Sequence, residues 1–313
     1  MAGFITKRIL FGILTIFVVS VVAFLLVRLM PGSPGAIVLG LGATDDEILA
    51  YDTSIGWHDP LAVQYLTWLG EALRGNFGVS LLDGRQVNAD IAARLPVTFS
   101  LALAGTVMSA VVGVLLGVIA AVRGGVVDRI VNAFSALGAA IPGFWIGIVF
   151  VFVFSVQTGL LPATGYVPFA QDPALWLQSL ILPVATLALG GAAFVARQTR
   201  ASMIDALAQD HMRTLRATAM PEWRIRYVHA LRYASLPIVA GVGLQFIALF
   251  GGSVIIEQIF AMPGLGQSIQ GAAASNDAPL VLGIVVTTTV VVVIVNLLLE
   301  LSNRFLDPKL RTS

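Results

Sequence analysis

The sequence has no cysteine, only two lysines and little charge of either sign. Without cysteine, the chain can form no disulfide, no thiolate nucleophile and no cysteine-ligated zinc or iron–sulfur site. Charged residues make up 11% of the 313 residues and hydrophobic residues 58%, whereas soluble domains carry roughly 25% charged residues. A globular protein of this composition would expose large apolar patches and aggregate. The composition therefore excludes an ordinary soluble domain.

Several kinds of functional site are also missing. Neither Lys7 nor Lys309 ends a Gly-x-x-x-x-Gly-Lys-Ser/Thr loop, so the chain has no P-loop for nucleotide phosphates. The histidines at 58, 211 and 229 are far apart in sequence and predict no metal cluster. No Asp, Glu, Lys or His lies near the middle of an apolar stretch, which disfavours ion-coupled carriers and intramembrane enzymes. We expect no catalytic residue, no metal, no cofactor and no nucleic-acid partner.

Long apolar stretches are what the sequence does contain. Many are long enough to cross a hydrocarbon core of about 30 Å. The first follows Lys7 and Arg8 in the manner of a signal peptide, but it lacks a clear small-residue cleavage site, so we interpret it as a retained helix. The chain is predicted to be an all-α, multi-pass membrane protein. Hydropathy places six spans at residues 9–30, 97–122, 130–156, 180–196, 234–256 and 281–301.

Basic residues are distributed unevenly between the two sides that six spans define. Both termini share a side with loops 123–129 and 197–233, and this side holds 14 of the 18 Lys and Arg residues. The loops of the other side, which hold three arginines and eleven acidic residues, are 31–96, 157–179 and 257–280. The positive-inside rule therefore predicts that both termini are cytoplasmic. Arg28, near the outer end of the first span, can reach the interface with its long side chain.

Small residues and prolines suggest where the helices pack. The GxxxG patterns GVLLG (113–117) and GFWIG (143–147) allow close helix approach, and we attach no other role to them. Pro142 and Pro183 lie in or at the start of spans, where kinks are tolerated.

The outer loop 31–96 is too long to be a simple connector. Within it, residues 59–75 carry apolar side chains near helical spacing and predict a short helix at the outer membrane surface, either as a packed lid or in contact with a ligand. The apolar residues of this segment are Leu61, Tyr65, Trp68, Leu69 and Leu73.

The loop 197–233 is the most polar internal part of the chain and has seven arginines. Its pattern predicts a helix, a break at Pro221 and a second helix leading into the fifth span. A short amphipathic helix here could fit a groove on a cytoplasmic partner. Alternatively, the segment is a solvated basic loop that orients the chain or touches anionic lipid.

The loop 197–233 reads D-x-x-R-T-x-R-A at 210–217, Pro-Glu at 221–222 and HALR-x-x-x-LP at 229–237. This order of motifs resembles the EAA loop of ABC-importer permeases, most closely those of the dipeptide, oligopeptide and nickel subfamily. Further segments that are similar to this subfamily occur in the same order at 26–34, 59–81, 93–104, 141–165, 182–203, 257–266 and 306–311.

This resemblance implies a type I ABC-importer permease fold with six transmembrane helices in a bacterial inner membrane. It implies one transmembrane half of an importer for di- or oligopeptides, which pairs with a second homologous permease, two cytoplasmic ATPase subunits and an extracytoplasmic substrate-binding protein. Membrane lipid surrounds it. The expected organisation is a tail and first helix at 1–30, the outer loop 31–96, a permease core at 97–301 and a cytoplasmic tail at 302–313.

Two sets of site residues follow from the resemblance. In the first, a coupling helix over about 210–222 contacts one ATPase. Asp210 caps its start, Arg213 and Arg216 face polar groups, and Leu215 and Met220 supply apolar contact. The usual glycine and lysine of the family fall at Ala219 and Thr218, so the sharp turn must form without glycine. The complete coupling set is Asp210, Arg213, Thr214, Leu215, Arg216, Ala217, Met220, Pro221 and Glu222.

The second set lies after the fifth span and includes the sequence PGLG at 263–266. A tight turn is one interpretation, and the resemblance suggests a short re-entrant element near an external gate or a docked binding protein. The set is Glu257, Phe260, Pro263, Gly264, Leu265 and Gly266.

Other functions remain open at this point. The same type of permease serves nickel, glutathione or haem in related systems, and the sequence does not name the substrate. A channel, an exporter subunit or a membrane scaffold without transport are alternatives of a different class.

Overall fold

A computed structural model describes residues 2–306, and helices dominate this part of the chain. Its only strand-like pairing is an isolated antiparallel bridge between Val79 and Gln86. The predicted all-α architecture is therefore confirmed for the described residues, whereas residues 307–313 of the predicted tail lie outside them.

Residues 2–306 contain fourteen α-helices. In chain order they are α1 (Ala2–Arg28), α2 (Pro34–Leu39), α3 (Asp45–Ser54), α4 (Leu61–Leu73), α5 (Val87–Arg123), α6 (Gly125–Ala140), α7 (Gly143–Phe150), α8 (Pro173–Ala208), α9 (Asp210–Ala217), α10 (Glu222–Arg224), α11 (Leu231–Gly252), α12 (Val254–Ile259), α13 (Leu265–Ala274) and α14 (Ala278–Leu306). Two π-helical segments, Val151–Gln157 and Ile225–Ala230, continue α7 and α10.

Five helical segments of the described chain are long and apolar enough to cross a membrane, and a sixth span results if one bent pair is counted. This pair corrects the predicted span 130–156, which the structure breaks into α6 and α7 with a bend of 95°. The cause is Pro142, because a residue that precedes proline is pushed out of the helical region. Ile141 accordingly has ψ 124° and ends α6. Pro183, in contrast, lies inside α8 without interrupting it.

The chain forms two compact units. Among the described residues, the N-terminal unit consists of 2–96 and 263–294, and the central unit consists of 97–262 and 295–306.

In the N-terminal unit, the predicted outer-loop helix is present as α4. Its Tyr65 and Trp68 pack against Phe24 and Val27 of α1, and the Tyr65 hydroxyl lies 2.8 Å from Oγ of Ser20. α4 is therefore packed on the first membrane helix through its aromatic side chains, as the lid interpretation expects.

In the central unit, α8 is the main packing partner of α6, α7 and α11. The GVLLG pattern of α5 faces α8 as expected, because a Cβ atom on Gly113 would lie 2.6 Å from Cβ of Val195, and one on Gly117 would lie 2.6 Å from the carbonyl oxygen of Ala196. In GFWIG only the second glycine is close to a neighbour: a Cβ on Gly147 would lie 3.4 Å from the Phe260 ring.

Candidate functional site

The predicted coupling segment contains a separate short helix, α9. Gln209 adopts an extended conformation with ψ 145°, so α8 stops at Ala208 and α9 begins in a new direction at Asp210. The expectation that Asp210 caps the helix is wrong, because Gln209 is the capping residue and makes no side-chain cap bond. Asp210 is instead the first helical residue, where a carboxylate still interacts favourably with the positive end of the helix dipole.

An apolar face attaches α9 to the central unit. Met212 is fully buried, and Leu215 and Met220 are half-buried against the same cluster. The apolar side chains that we expected to contact an ATPase therefore also contact the rest of the central unit. The buried members of this cluster are Val118, Met203, Ala206, Met212, Ile225, Ala230, Ala234 and Ile238.

α9 ends at Ala217, which is five residues before the predicted end at Glu222. The amide of Ala219 donates to the carbonyl of Arg216 at 3.0 Å, and the amide of Met220 donates to that of Leu215 at 3.3 Å. These two bonds define a Schellman motif, which requires a left-handed residue at the position of Ala219. Ala219 has φ 57°. The turn that glycine usually makes is thus retained by alanine, at a cost of roughly 1–2 kcal/mol from its Cβ atom.

Two arginines and one glutamate tie the end of α9 to the following helix. Pro221 starts α10 with φ −59°, a value that proline favours. Glu222 then accepts hydrogen bonds from Nε of Arg216 and Nε of Arg226, both at 2.9 Å. Arg216, which we expected to face a partner, is therefore paired within the chain.

The exposed face of α9 carries Arg213, Thr214 and Ala217. The side chain of Arg213 is 76% exposed, and its Nη1 lies 3.5 Å from Oδ1 of Asp210. Close by in sequence, Trp223 is 58% exposed, and the guanidinium carbon of Arg224 lies 5.7 Å from its ring centroid. Sequence reasoning missed Trp223, although a single tryptophan among charged loop residues is an available signal because aromatic residues are enriched at interfaces.

A cavity of about 860 Å³ adjoins α9 and is lined by side chains from the end of α8 and from the following helices. His211 and His229, which are 18 positions apart, both line it, together with Asp205 and Arg232. The described residues contain no group of three or more His, Cys, Asp or Glu that could hold a metal ion. The cavity therefore offers polar groups of both charges and no metal-binding cluster within residues 2–306.

One ion pair joins the loops 123–129 and 197–233, which are predicted to lie on the same side of the membrane. Arg200, near the end of α8, donates through Nη2 to Oδ2 of Asp128 at 2.7 Å. Asp128 is in the first turn of α6 and belongs to the predicted loop 123–129. The structure thus brings the ends of α5 and α8 to the same end of the central unit.

The second predicted set is divided between the two units. Glu257 of α12 is fully buried, and its Oε1 accepts hydrogen bonds from Oγ1 of Thr98 at 2.7 Å and Oγ of Ser253 at 3.0 Å. Phe260 is also buried and belongs to a core cluster of the central unit. Both side chains are therefore internal in this structure.

In the N-terminal unit, Pro263–Gly266 forms the start of α13. Gly264 is extended and precedes the first helical residue, Leu265. The Leu265 side chain is buried in a cluster with Val87 and Ile284. The PGLG sequence is therefore a helix start and not an isolated tight turn, and its place in a re-entrant element near an external gate stays a prediction.

Comparisons with known proteins agree on the family. Residues 113–312 match the family described as "binding-protein-dependent transport system inner membrane component", and residues 1–102 match its N-terminal family. A probable peptide ABC transporter permease from Sinorhizobium fredii is 38% identical over 312 residues, which cover 99% of this chain and 100% of that protein.

Further relatives carry other substrate names. An oligopeptide transport system permease of Bacillus subtilis is 34% identical over 314 residues, with 99% of both chains covered. A glutathione transport system permease of Escherichia coli K12 is 35% identical over 312 residues, again with 99% of both covered.

Among solved structures, an inward-facing form of the MetNI methionine ABC transporter matches with a TM-score of 0.54 and 17% identity, and covers 69% of this chain and 96% of that chain. This likeness confirms the ABC-transporter permease fold that the sequence predicts.

Proposed function

Because this chain belongs to the family of binding-protein-dependent transport system inner membrane components, we propose that it is a permease subunit of an ATP-driven peptide importer. In this role the subunit forms half of a translocation pathway and carries out no catalysis of its own. ATP hydrolysis takes place in separate cytoplasmic ATPase subunits.

The observation that carries the proposal is the way in which α9 is mounted. Met212 anchors the helix from one side, and Glu222 joins Arg216 to Arg226 at its end. Arg213 remains exposed on the outer face. A helix that is fixed to the membrane helices and exposes a polar face suits a coupling element, because movement of a docked partner is passed on as a rigid-body displacement.

The partners follow from this arrangement and from the family. We assign the exposed face of α9, with Arg213, Thr214 and Ala217, to a groove on one ATPase, and we add Trp223 as a neighbouring apolar contact. A second permease completes the pathway, and a binding protein delivers the solute from the opposite side. The orientation in which both termini are cytoplasmic follows from the distribution of basic residues.

Peptides are the proposed substrate class because the similar proteins with 38% and 34% identity are named as peptide and oligopeptide permeases. The glutathione permease at 35% identity is named for a modified tripeptide and supports the same class of solute. Nickel and haem remain alternatives without support from these names.

The proposal is tested by charge reversal at Arg213 in the reconstituted complex of both permeases, the ATPases and the binding protein. We expect Arg213→Glu to lower peptide-stimulated ATP hydrolysis and peptide uptake by at least about tenfold, because loss of a charge-assisted contact costs about 1.5–3 kcal/mol. The midpoint of thermal unfolding of the isolated chain should not change, since the side chain is exposed.

Arg74→Glu is the matched control. Arg74 is 77% exposed and pairs with Glu71 three positions away, as Arg213 pairs with Asp210. Its reversal should leave uptake within twofold of the unmodified complex. Normal uptake by the Arg213→Glu complex would rule out the coupling role of α9. Uptake without any ATPase subunit would instead indicate a channel.

A further inference from the structure

We propose that the N-terminal unit binds a phospholipid whose headgroup carries both a phosphate and a primary ammonium group. The phosphate lies at Arg28, the ammonium group lies at Asp59, and one acyl chain follows a groove formed by α1 and α14. The argument depends on side chains of the N-terminal unit and is independent of the coupling role proposed for α9.

Arg28, at the end of a membrane helix, is a cation whose hydrogen-bond donors are not all paired. Its Nη2 donates to the carbonyl of Trp57 at 2.9 Å, and its guanidinium carbon lies 3.4 Å from the centroid of the Trp57 ring. Nη1 is buried and has no hydrogen-bond partner among the described residues. A buried donor on a charged group is costly unless it meets an acceptor, and a phosphate oxygen is such an acceptor.

A cavity of about 320 Å³ adjoins this guanidinium group. Trp68, which also lines the cavity, has an indole Nε1 that is buried and without a partner within residues 2–306. The cavity therefore contains a cation and a second unused donor. Both features favour an acceptor-rich anionic group over a neutral ligand.

Asp59 lines the same cavity from the segment between α3 and α4 and is exposed to solvent. The cavity thus has a positive group and a negative group in its wall. A purely anionic headgroup would meet repulsion from the Asp59 carboxylate, whereas a headgroup with phosphate and ammonium complements both charges.

An apolar groove continues from this cavity along the membrane helices. The groove has a volume of about 370 Å³, and Val27 of α1 lines both the groove and the polar cavity. All nine lining residues are aliphatic or methionine, and they include the exposed side chains of Val18, Val22 and Leu26. An acyl chain fits this surface, since a lipid joins a charged headgroup to a hydrocarbon tail at the membrane interface. The groove is lined by Val18, Val19, Val22, Ala23, Leu26, Val27, Met30, Val281 and Val285.

The test uses the purified full-length chain in detergent with equimolar phosphatidylethanolamine and phosphatidylglycerol, and native mass spectrometry counts the bound lipid. We expect the unmodified chain to retain phosphatidylethanolamine over phosphatidylglycerol by about tenfold. Asp59→Asn should abolish this preference, and Arg28→Gln should reduce retention of both lipids by about tenfold. Arg74→Gln, an exposed arginine outside the cavity, should change neither.

Two further arms address the acyl chain and keep the test valid if Arg28→Gln does not fold. Val22→Phe should lower lipid retention because it fills the groove, whereas Leu25→Phe, which is also exposed on α1 but does not line the groove, should not. Soluble glycerophosphoethanolamine should compete poorly. Equal retention of the two lipids by the unmodified chain, full retention by Val22→Phe, or effective competition by the soluble headgroup would each overturn the proposal.

Discussion

Two short helices of the central unit, α9 and α12, end in the same backbone turn but have opposite surroundings. At the end of α12, the amide of Ala261 donates to the carbonyl of Gln258 at 3.2 Å, and that of Met262 donates to Glu257 at 2.7 Å. This is the Schellman pattern that Ala219 and Met220 form after α9. Both left-handed residues are alanines, with φ 57° at Ala219 and 47° at Ala261.

The side chains around the two turns differ. Met262 is fully buried, whereas Met220 is only half-buried. The glutamate near the α12 turn, Glu257, is enclosed by hydroxyl groups, whereas Glu222 near the α9 turn bridges two half-exposed arginines. The same backbone turn therefore lies among buried side chains after α12 and carries an accessible polar surface after α9. The buried residues near the α12 turn therefore maintain the fold, whereas the accessible residues near the α9 turn are available to a partner.

The largest effect is expected at the buried glutamate. Glu257→Ala removes the acceptor of the Thr98 and Ser253 hydroxyl groups and leaves a void in the packed core. We expect a loss of about 4 kcal/mol in the free energy of unfolding, since each lost hydrogen bond contributes about 0.5–1.5 kcal/mol and the void adds to this. The thermal unfolding midpoint of the purified chain measures the loss.

Glu222→Ala is the control for this comparison. Its side chain is 46% exposed and both arginine partners are also accessible to solvent, so we expect a change below about 1 kcal/mol. If the two variants had the same unfolding midpoint, the distinction between an internal and an accessible glutamate would be wrong.

The next effect concerns the methionine that anchors α9. Met212→Ala should cost about 3 kcal/mol, because truncating a buried methionine costs about 2–5 kcal/mol. The loosened helix should exchange its amide hydrogens faster over 210–217, and peptide-stimulated ATP hydrolysis of the complex should fall. Hydrogen exchange measured by mass spectrometry detects the first effect.

Met262→Ala is the matched change at the other turn, where the methionine is equally buried. It should lower the unfolding midpoint by a similar amount without faster exchange in 210–217. An increase in exchange over α9 in both variants would show that the two turns are not independent.

The comparison of these turns also shows what the sequence could predict. Hydropathy identified five membrane-length helices but not the break inside 130–156, and motif order identified the segment containing α9, because both signals are local in sequence. The location of α9 between two long helices followed from the polar loop 197–233. These features depend on neighbouring residues and need no knowledge of distant contacts.

Features that depend on distant contacts were not predictable. Glu257 reads as a residue at the end of a span, and its burial depends on Thr98, which is 159 positions away in sequence. The pairing of Arg216 with Glu222 spans only six positions, but it depends on the turn at Ala219 and was also not predicted. Pro142 and Pro183 look alike in apolar sequence, but Pro142 follows the end of α6, whereas Pro183 lies inside α8.

The smallest effect is expected at the left-handed alanines themselves. Ala219→Gly relieves a conformational cost of roughly 1–2 kcal/mol but also stabilises the unfolded chain entropically by about 0.4–1 kcal/mol, so we expect a net gain of at most about 1.6 kcal/mol. Ala261→Gly should give a similar gain, since both alanine side chains are exposed and lose little packing. The two gains should add in the double variant, because the substitutions lie in separate turns. A lower unfolding midpoint for Ala219→Gly would mean that the Cβ atom contributes a contact that outweighs the backbone cost.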